Sequence, residues 1–195
     1  LVLLNSVTPG FAISLADDHK AYKIYPDQVK DLSVSFGSTI DKEDLEYRKQ
    51  HNMINTFYVC CVPSFPNIHT FSLPAEGVYI DWYTIATSLD GFLFWAYNNW
   101  VKDPLVDSRF RTWPAGDTYV IYPEARSSIR FEILRDGIED AEKISILRAK
   151  FFKENNQDKL NKLNTLVGSF DKITQPQNLI DMVEAAQNTF NELSK

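Results

Sequence analysis

Basic stretches, long apolar runs, glycine clusters and dispersed cysteines are all missing from this chain of 195 residues. Each absence closes off a class of function. Acidic side chains number 26 against 20 basic ones, a formal net charge of −6, and no Lys/Arg cluster interrupts that balance. A general binder of the nucleic-acid phosphate backbone is therefore excluded. No apolar run approaches the roughly 20 residues that a membrane-spanning helix needs. None of the seven glycines builds a phosphate-cradling loop or a dinucleotide fingerprint, so hydride and phosphoryl transfer have no support. The histidines His19, His51 and His69 lack metal-ligand spacing with one another or with the cysteines, and neither metal nor cofactor is expected. The two cysteines, Cys60 and Cys61, are adjacent, and neighbouring cysteines rarely bridge because the geometry is strained. Within the run Phe57–Val62 they read as buried small hydrophobes, which leaves the redox compartment open. The opening LVLLNSVTPG has neither Met nor a basic region ahead of its apolar run, so it does not read as an intact signal peptide. A strand-like run at residue 1 is what a piece of a longer protein would give.

What is present is a globular composition, 44% apolar, with length enough for one sizeable core. Four nearly continuous apolar runs predict buried parallel strands: Leu1–Leu4, Leu32–Phe36, Thr56–Val62 and Gly91–Tyr97. Helical segments fall between them. Asp17–Tyr25 could supply a first crossover. Ile40–Gln50 follows Ser38 and Thr39 as N-cap candidates, with Asp41, Glu43 and Asp44 where the helix dipole favours acids. Trp82, Ile85, Ala86 and Leu89 recur at helical spacing and stop before Gly91. A long segment from Asn98 to Pro123 leads to a helix over about 127–155, striped by Leu134, Ile138, Ala141 and Ile144. Two further amphipathic helices are lined by Leu160, Leu163, Val167 and Phe170, and by Leu179, Met182, Val183, Ala186, Phe190 and Leu193. The second is expected to start near Pro176. The order βαβαβαβ, loop, three helices implies an α/β fold with right-handed crossovers. Periodicity alone leaves open a small open sheet or half of a barrel.

In parallel α/β folds chemistry gathers at the carboxyl ends of the strands. Two such places are rich here: Val62–Thr70, which holds Asn67 and His69, and Trp95–Trp100, continued by Asp103, Asp107, Arg109, Arg111, Trp113, Asp117 and Tyr122. Flat rings pack on the C–H face of a pyranose, while Asn, Asp and Arg read its hydroxyls, so the combination suits a carbohydrate. Core filling is the competing reading for Trp95 and Tyr97. Trp100 and Trp113, in polar surroundings, fit a site better. Asp103, Asp107 and Asp117 stand where a glycosidic acid could, although Asp beside Pro or Gly is also an ordinary turn residue.

Three longer stretches carry a resemblance. They are Asp90–Trp100 with Asp103-Pro104-Leu105, then Phe110–Tyr119 with Tyr122-Pro123, then Ser127–Glu132. Together they resemble the carboxyl-terminal part of the catalytic domain of glycoside hydrolase family 123. Tyr58–Cys61 and Pro66-Asn67 fit as well, and the likeness is dense over residues 55–148. The resemblance implies the last four βα units of a (β/α)8 barrel over residues 1–150, with a carboxyl-terminal helical extension over residues 151–195. It also implies action on β-linked N-acetylgalactosamine by substrate-assisted catalysis. In that scheme the substrate acetamido group attacks the anomeric carbon, and an adjacent Asp-Glu pair orients the amide and supplies the proton. No Asp-Glu dipeptide occurs here, and Phe94 stands where many relatives carry a basic residue.

The substrate-binding set implied is Tyr58, Asn67, Trp95, Tyr97, Asn98, Trp100, Trp113 and Asp117, with no catalytic residue and no metal ligand. Two roles follow: an inactive portion of a hydrolase that keeps half its substrate wall, or a non-catalytic sugar-binding or assembly module. Open sheet edges favour a homodimer or a complementary half-barrel as partner. Nucleic acid and membrane are not expected partners. A secreted or periplasmic bacterial location is the family expectation.

Overall fold

The computed structural model describes residues 2–7, 10–109, 112–172 and 174–195. The chain divides into two compact units, Leu1–Tyr58 with Leu89–Leu93, and Val59–Ser88 with Phe94–Lys195.

The first unit is a four-stranded parallel sheet in sequential order: β1 Ile13–Ala16, β2 Val29–Ser35, β3 Ile54–Tyr58 and β4 Gly91–Leu93. Three helices accompany it, α1 Val2–Val7, α2 Ala21–Ile24 and α3 Lys42–Gln50. The apolar run at the start therefore belongs to a helix and not to the expected strand Leu1–Leu4, of which Leu1 lies outside the described residues. A short apolar run fits either state, and periodicity does not separate them. The true first strand, Ile13–Ala16, alternates half-buried and exposed positions and carries less apolar signal. β2 begins earlier than expected, because Lys30 and Asp31 interrupt the apolar pattern; the β1–β2 register shifts at Lys30, and pairing resumes at Asp31. β4 stops at Leu93, so Trp95 and Tyr97 leave the strand and belong to the loop.

The N-cap of α3 is Asp41 and not Ser38 or Thr39, while Glu43 and Asp44 occupy its first turn as expected. Asp41 instead pairs with Lys20 and Lys23. Beneath these elements lies a buried polar knot. Arg48, 1% exposed, donates to Asn55 Oδ1, to Val29 O at 2.9 Å and to Ile54 O at 3.0 Å. Asn55 in turn donates to Met53 O, and Asp90 accepts from both the Asn55 backbone and its amide. The guanidinium ties the starts of β2 and β3, and Asn55 carries the link to Asp90, just before β4. A guanidinium is costly to bury without acceptors, and here each of its three nitrogens has one.

The second unit is helical: α4 Pro74–Ala86, α5 Ile129–Lys153, α6 Gln157–Gly168 and α7 Leu179–Leu193. Pro74 pre-sets the first turn of α4, and the Glu76 carboxylate accepts the Leu73 and Asn67 backbone N–H groups at 2.9 Å each. Trp82, fully buried, meets Phe170 and Phe190 edge-on at 4.6 and 5.1 Å. Helices α6 and α7 thereby close over α4 and α5, and their predicted stripes are buried at Leu163, Val167, Phe170, Val183, Ala186, Phe190 and Leu193. The stripe expected on α5 needs correction. Ile138 is 58% exposed, and the buried face runs through Gly137, Ile144, Leu147 and Phe151. Gly77 and Gly137 let α4 and α5 approach: a Cβ at Gly77 would lie 2.7 Å from Ile133 Cγ2, and one at Gly137 would collide with Asp81. Helix α7 begins at Leu179, three residues after Pro176, with Asn178 at the N-cap position and no side-chain capping bond.

Candidate functional site

Two loops of the second unit come together. One follows β3 and runs from Val59 to Leu73; the other runs from Phe94 to Ser128. Arg130, at the start of α5, clamps them with Nη1, donating to Ile68 O at 2.9 Å and Gly116 O at 2.8 Å while its guanidinium lies over the Tyr119 ring. The Thr70 backbone N–H adds a bond to Ala115 O at 2.9 Å. Gly116 has φ +83°, and a Cβ there would press within 2.8 Å of Arg130 Nη1 and Thr70 Cγ2. A side chain is thus excluded by conformation and by space.

At the centre of this junction sits Asp117, 0% exposed. One carboxylate oxygen faces His69 Nε2 at 3.2 Å, and the other accepts Trp95 Nε1–H at 3.2 Å. His69 is itself buried; burial pushes its pKa below the usual imidazole range, and the Asp117 contact opposes that only in part. The neutral ring makes this contact as a donor only when its proton sits on Nε2. Nδ1 then remains without a hydrogen-bond partner among the described residues.

Beyond the buried pair lies an aromatic surface. Trp95 is 45% exposed and meets Trp113, 37% exposed, edge-on at 5.8 Å. Tyr97 is 52% exposed with its ring edge against Phe131, and Trp100 is anchored by Nε1–H donation to Ile121 O at 2.7 Å. Asn98 is exposed, its backbone bridged to Tyr119. Five of the expected contacts, Trp95, Tyr97, Asn98, Trp100 and Trp113, are therefore open to solvent in one unit.

The remaining three differ. Asp117 has no free oxygen and no exposure, so it positions Trp95 and is not itself presented to a ligand. Asn67 is enclosed; its amide donates to Cys60 O at 2.6 Å and Pro63 O at 3.2 Å, and its Oδ1 accepts Ile68 N–H. It braces the loop. Tyr58 ends β3 in the first unit, where its hydroxyl reaches Asp18 Oδ2 at 3.5 Å. Burial raises the Asp18 pKa, but hydrogen bonds from Ser35, Ser38 and Tyr58 outweigh it and hold the carboxyl below its ordinary range. Asp18 lies two residues after the end of β1.

Asp107 and Arg109 form an exposed pair, and the guanidinium holds the Asp107 pKa at about 2, which removes it as a proton donor. Arg111 lies outside the described residues. A cavity of ≈ 210 Å³ adjoins the junction, lined by His69, Thr70, Leu73, Ile129 and Arg130 among others, but none of the exposed indoles lines it. The described residues contain no cluster of metal-ligating side chains.

The glycoside hydrolase 123 catalytic-domain model matches residues 1–147. The chain belongs to that family. A solved family 123 glycoside hydrolase from Clostridium perfringens, described for glycolipid glycan hydrolysis, superposes with a TM-score of 0.77 at 24% identity. The match covers 99% of this chain and 37% of that one, a likeness of fold. No curated protein matches. Family membership accounts for the α/β architecture, a parallel four-stranded sheet with added helices.

Proposed function

We propose that this chain forms one half of the sugar-binding wall of a β-N-acetylhexosaminidase of the N-acetylgalactosamine type. Its four strands are the last four of a (β/α)8 barrel. The observation that carries the reading is the exposed Trp95–Trp113 pair, fixed from below by buried Asp117 and His69. Indole faces held at fixed angles suit the apolar face of a pyranose, and rigid placement lowers the entropic cost of binding. The sequential parallel order β1-β2-β3-β4 and the share of the Clostridium perfringens enzyme that is matched support the half-barrel.

Substrate-assisted hydrolysis needs an Asp-Glu pair to orient the acetamido group and give the proton, and no such dipeptide occurs in these 195 residues. Among the described acids at the junction, Asp117 is enclosed and Asp107 is held ionised. The chain alone is therefore a binder and not a catalyst, and turnover requires the acid pair from elsewhere. Ligand-detected NMR with N-acetylgalactosamine tests this. Saturation transfer to the sugar is expected for the native chain, reduced at least threefold in Trp95→Ala and Trp113→Ala. A signal unchanged in both variants overturns the assignment. Robust cleavage of an aryl β-N-acetylgalactosaminide by the purified chain contradicts the binder reading.

A further inference from the structure

We propose that Cys60 and Cys61 are a redox modification site that closes to a vicinal disulfide by exchange with a low-molecular-weight disulfide. Both thiols are free and half-buried, not enclosed as the sequence suggested, and their Sγ atoms lie 3.9 Å apart. Adjacent side chains in a regular strand point to opposite faces. Here β3 has ended at Tyr58 and the chain bends from Cys61 onward, which brings the two sulfurs to one side.

The exchange balances without further reactants. The thiolate of one cysteine attacks a sulfur of the small disulfide and expels one half as thiolate. The second cysteine then attacks the mixed disulfide and expels the other half. The protein gives up two electrons and two protons, and the small disulfide takes them as two thiols. Adjacent Cα atoms are about 3.8 Å apart, below the roughly 4.4 Å lower limit of ordinary bridges, so the product is strained. Strained bridges are the readily reduced ones, suited to a reversible change and not to a permanent staple. Burial, the Cys60 thiol and Asp117 hold the Cys61 thiol above its ordinary range, which lowers its thiolate fraction at neutral pH.

Closure has a route to the aromatic face. The peptide joining the two cysteines must turn to bring the sulfurs into bonding distance. Its carbonyl, Cys60 O, is the acceptor of the 2.6 Å bond from Asn67 Nδ2. The same amide holds Pro63 O and Ile68 N–H, and two residues later His69 contacts Asp117, which carries Trp95. Displacing Asn67 therefore loosens the support of the Trp95–Trp113 pair. Any bearing on carbohydrate rests on the reading above; the closure itself does not.

Equilibration of the full chain with oxidised and reduced glutathione, read by intact mass and tryptophan emission, tests both steps. The expected product is monomeric, lighter by about 2 Da, free of retained glutathione and reversed by dithiothreitol. Emission shifts in parallel, and the shift is lost in Trp95→Phe. Cys60→Ser and Cys61→Ser each retain one glutathione and show no emission shift. Stable glutathione adducts or a disulfide-linked dimer from the native chain overturn the closure. A closed product with unchanged emission overturns the coupling to Trp95.

Discussion

Two buried polar networks, one in each unit, use similar residues and end differently. In the first unit Arg48 and Asn55 are enclosed, and their bonds run to backbone carbonyls and to Asp90 at the strand starts. In the second, Arg130, His69 and Asp117 tie two loops, and the chain of bonds emerges on Trp95, nearly half exposed. The first network terminates on the scaffold it holds. The second terminates on a surface and leaves His69 Nδ1 unpartnered among the described residues. A closed network measures what a fold needs; an open one points to what it presents.

The contrast breaks most visibly at Arg48. Arg48→Met keeps the stem but strands Asn55 Oδ1 and two carbonyls, with an expected loss of about 3 kcal/mol in urea denaturation. A loss below about 1 kcal/mol would deny the network its scaffold role. Asp81 supplies a different control, a buried carboxyl on α4 whose Oδ2 has no partner among the described residues. Burial, with Asp140 nearby, raises its pKa from 3.8 to about 7. Since the folded state keeps a proton that the unfolded chain has released, this group costs stability progressively as pH rises from 3.8 to about 7. Asp81→Asn is expected to gain about 2 kcal/mol at pH 8 and nothing near pH 3.5, read by thermal or urea melts at both values.

Smaller effects separate support from surface. Asp117→Asn keeps the shape but cannot accept from both His69 and Trp95, so about 1 kcal/mol is lost and Trp95 emission changes. Trp113→Ala should cost about 1 kcal/mol or less, because the ring is partly exposed, while abolishing most sugar response. If Trp113→Ala destabilised as much as Arg48→Met, the aromatic face would be structural.

Much of this was legible in advance. The stripes of α6 and α7 are pure period-3.6 signals with buried Leu163, Val167, Ala186 and Phe190, and they emerged as read. The first strand did not, because Leu-rich helix starts and buried strands share a composition, and Ile13–Ala16 is only half-buried. At the site, residue types named Trp95, Trp113 and Asp117, but not their division of labour. Aspartate in a Gly-Asp turn reads as exposed; only the crossing of two loops, 48 residues apart at His69 and Asp117, encloses it. Asn67 is enclosed for a related reason: its side-chain partners are backbone groups that no side-chain pattern records.

The central claim is that the open end of the second network receives a sugar. Indole N–H resonances of the 15N-labelled chain, followed as N-acetylgalactosamine is added, address it directly, because Trp82 is fully buried and serves as an internal reference. The account predicts that the Trp95 and Trp113 signals move with a common saturation curve while Trp82 stays fixed. Four unmoved indoles, or a Trp82 shift equal to the others, would contradict it.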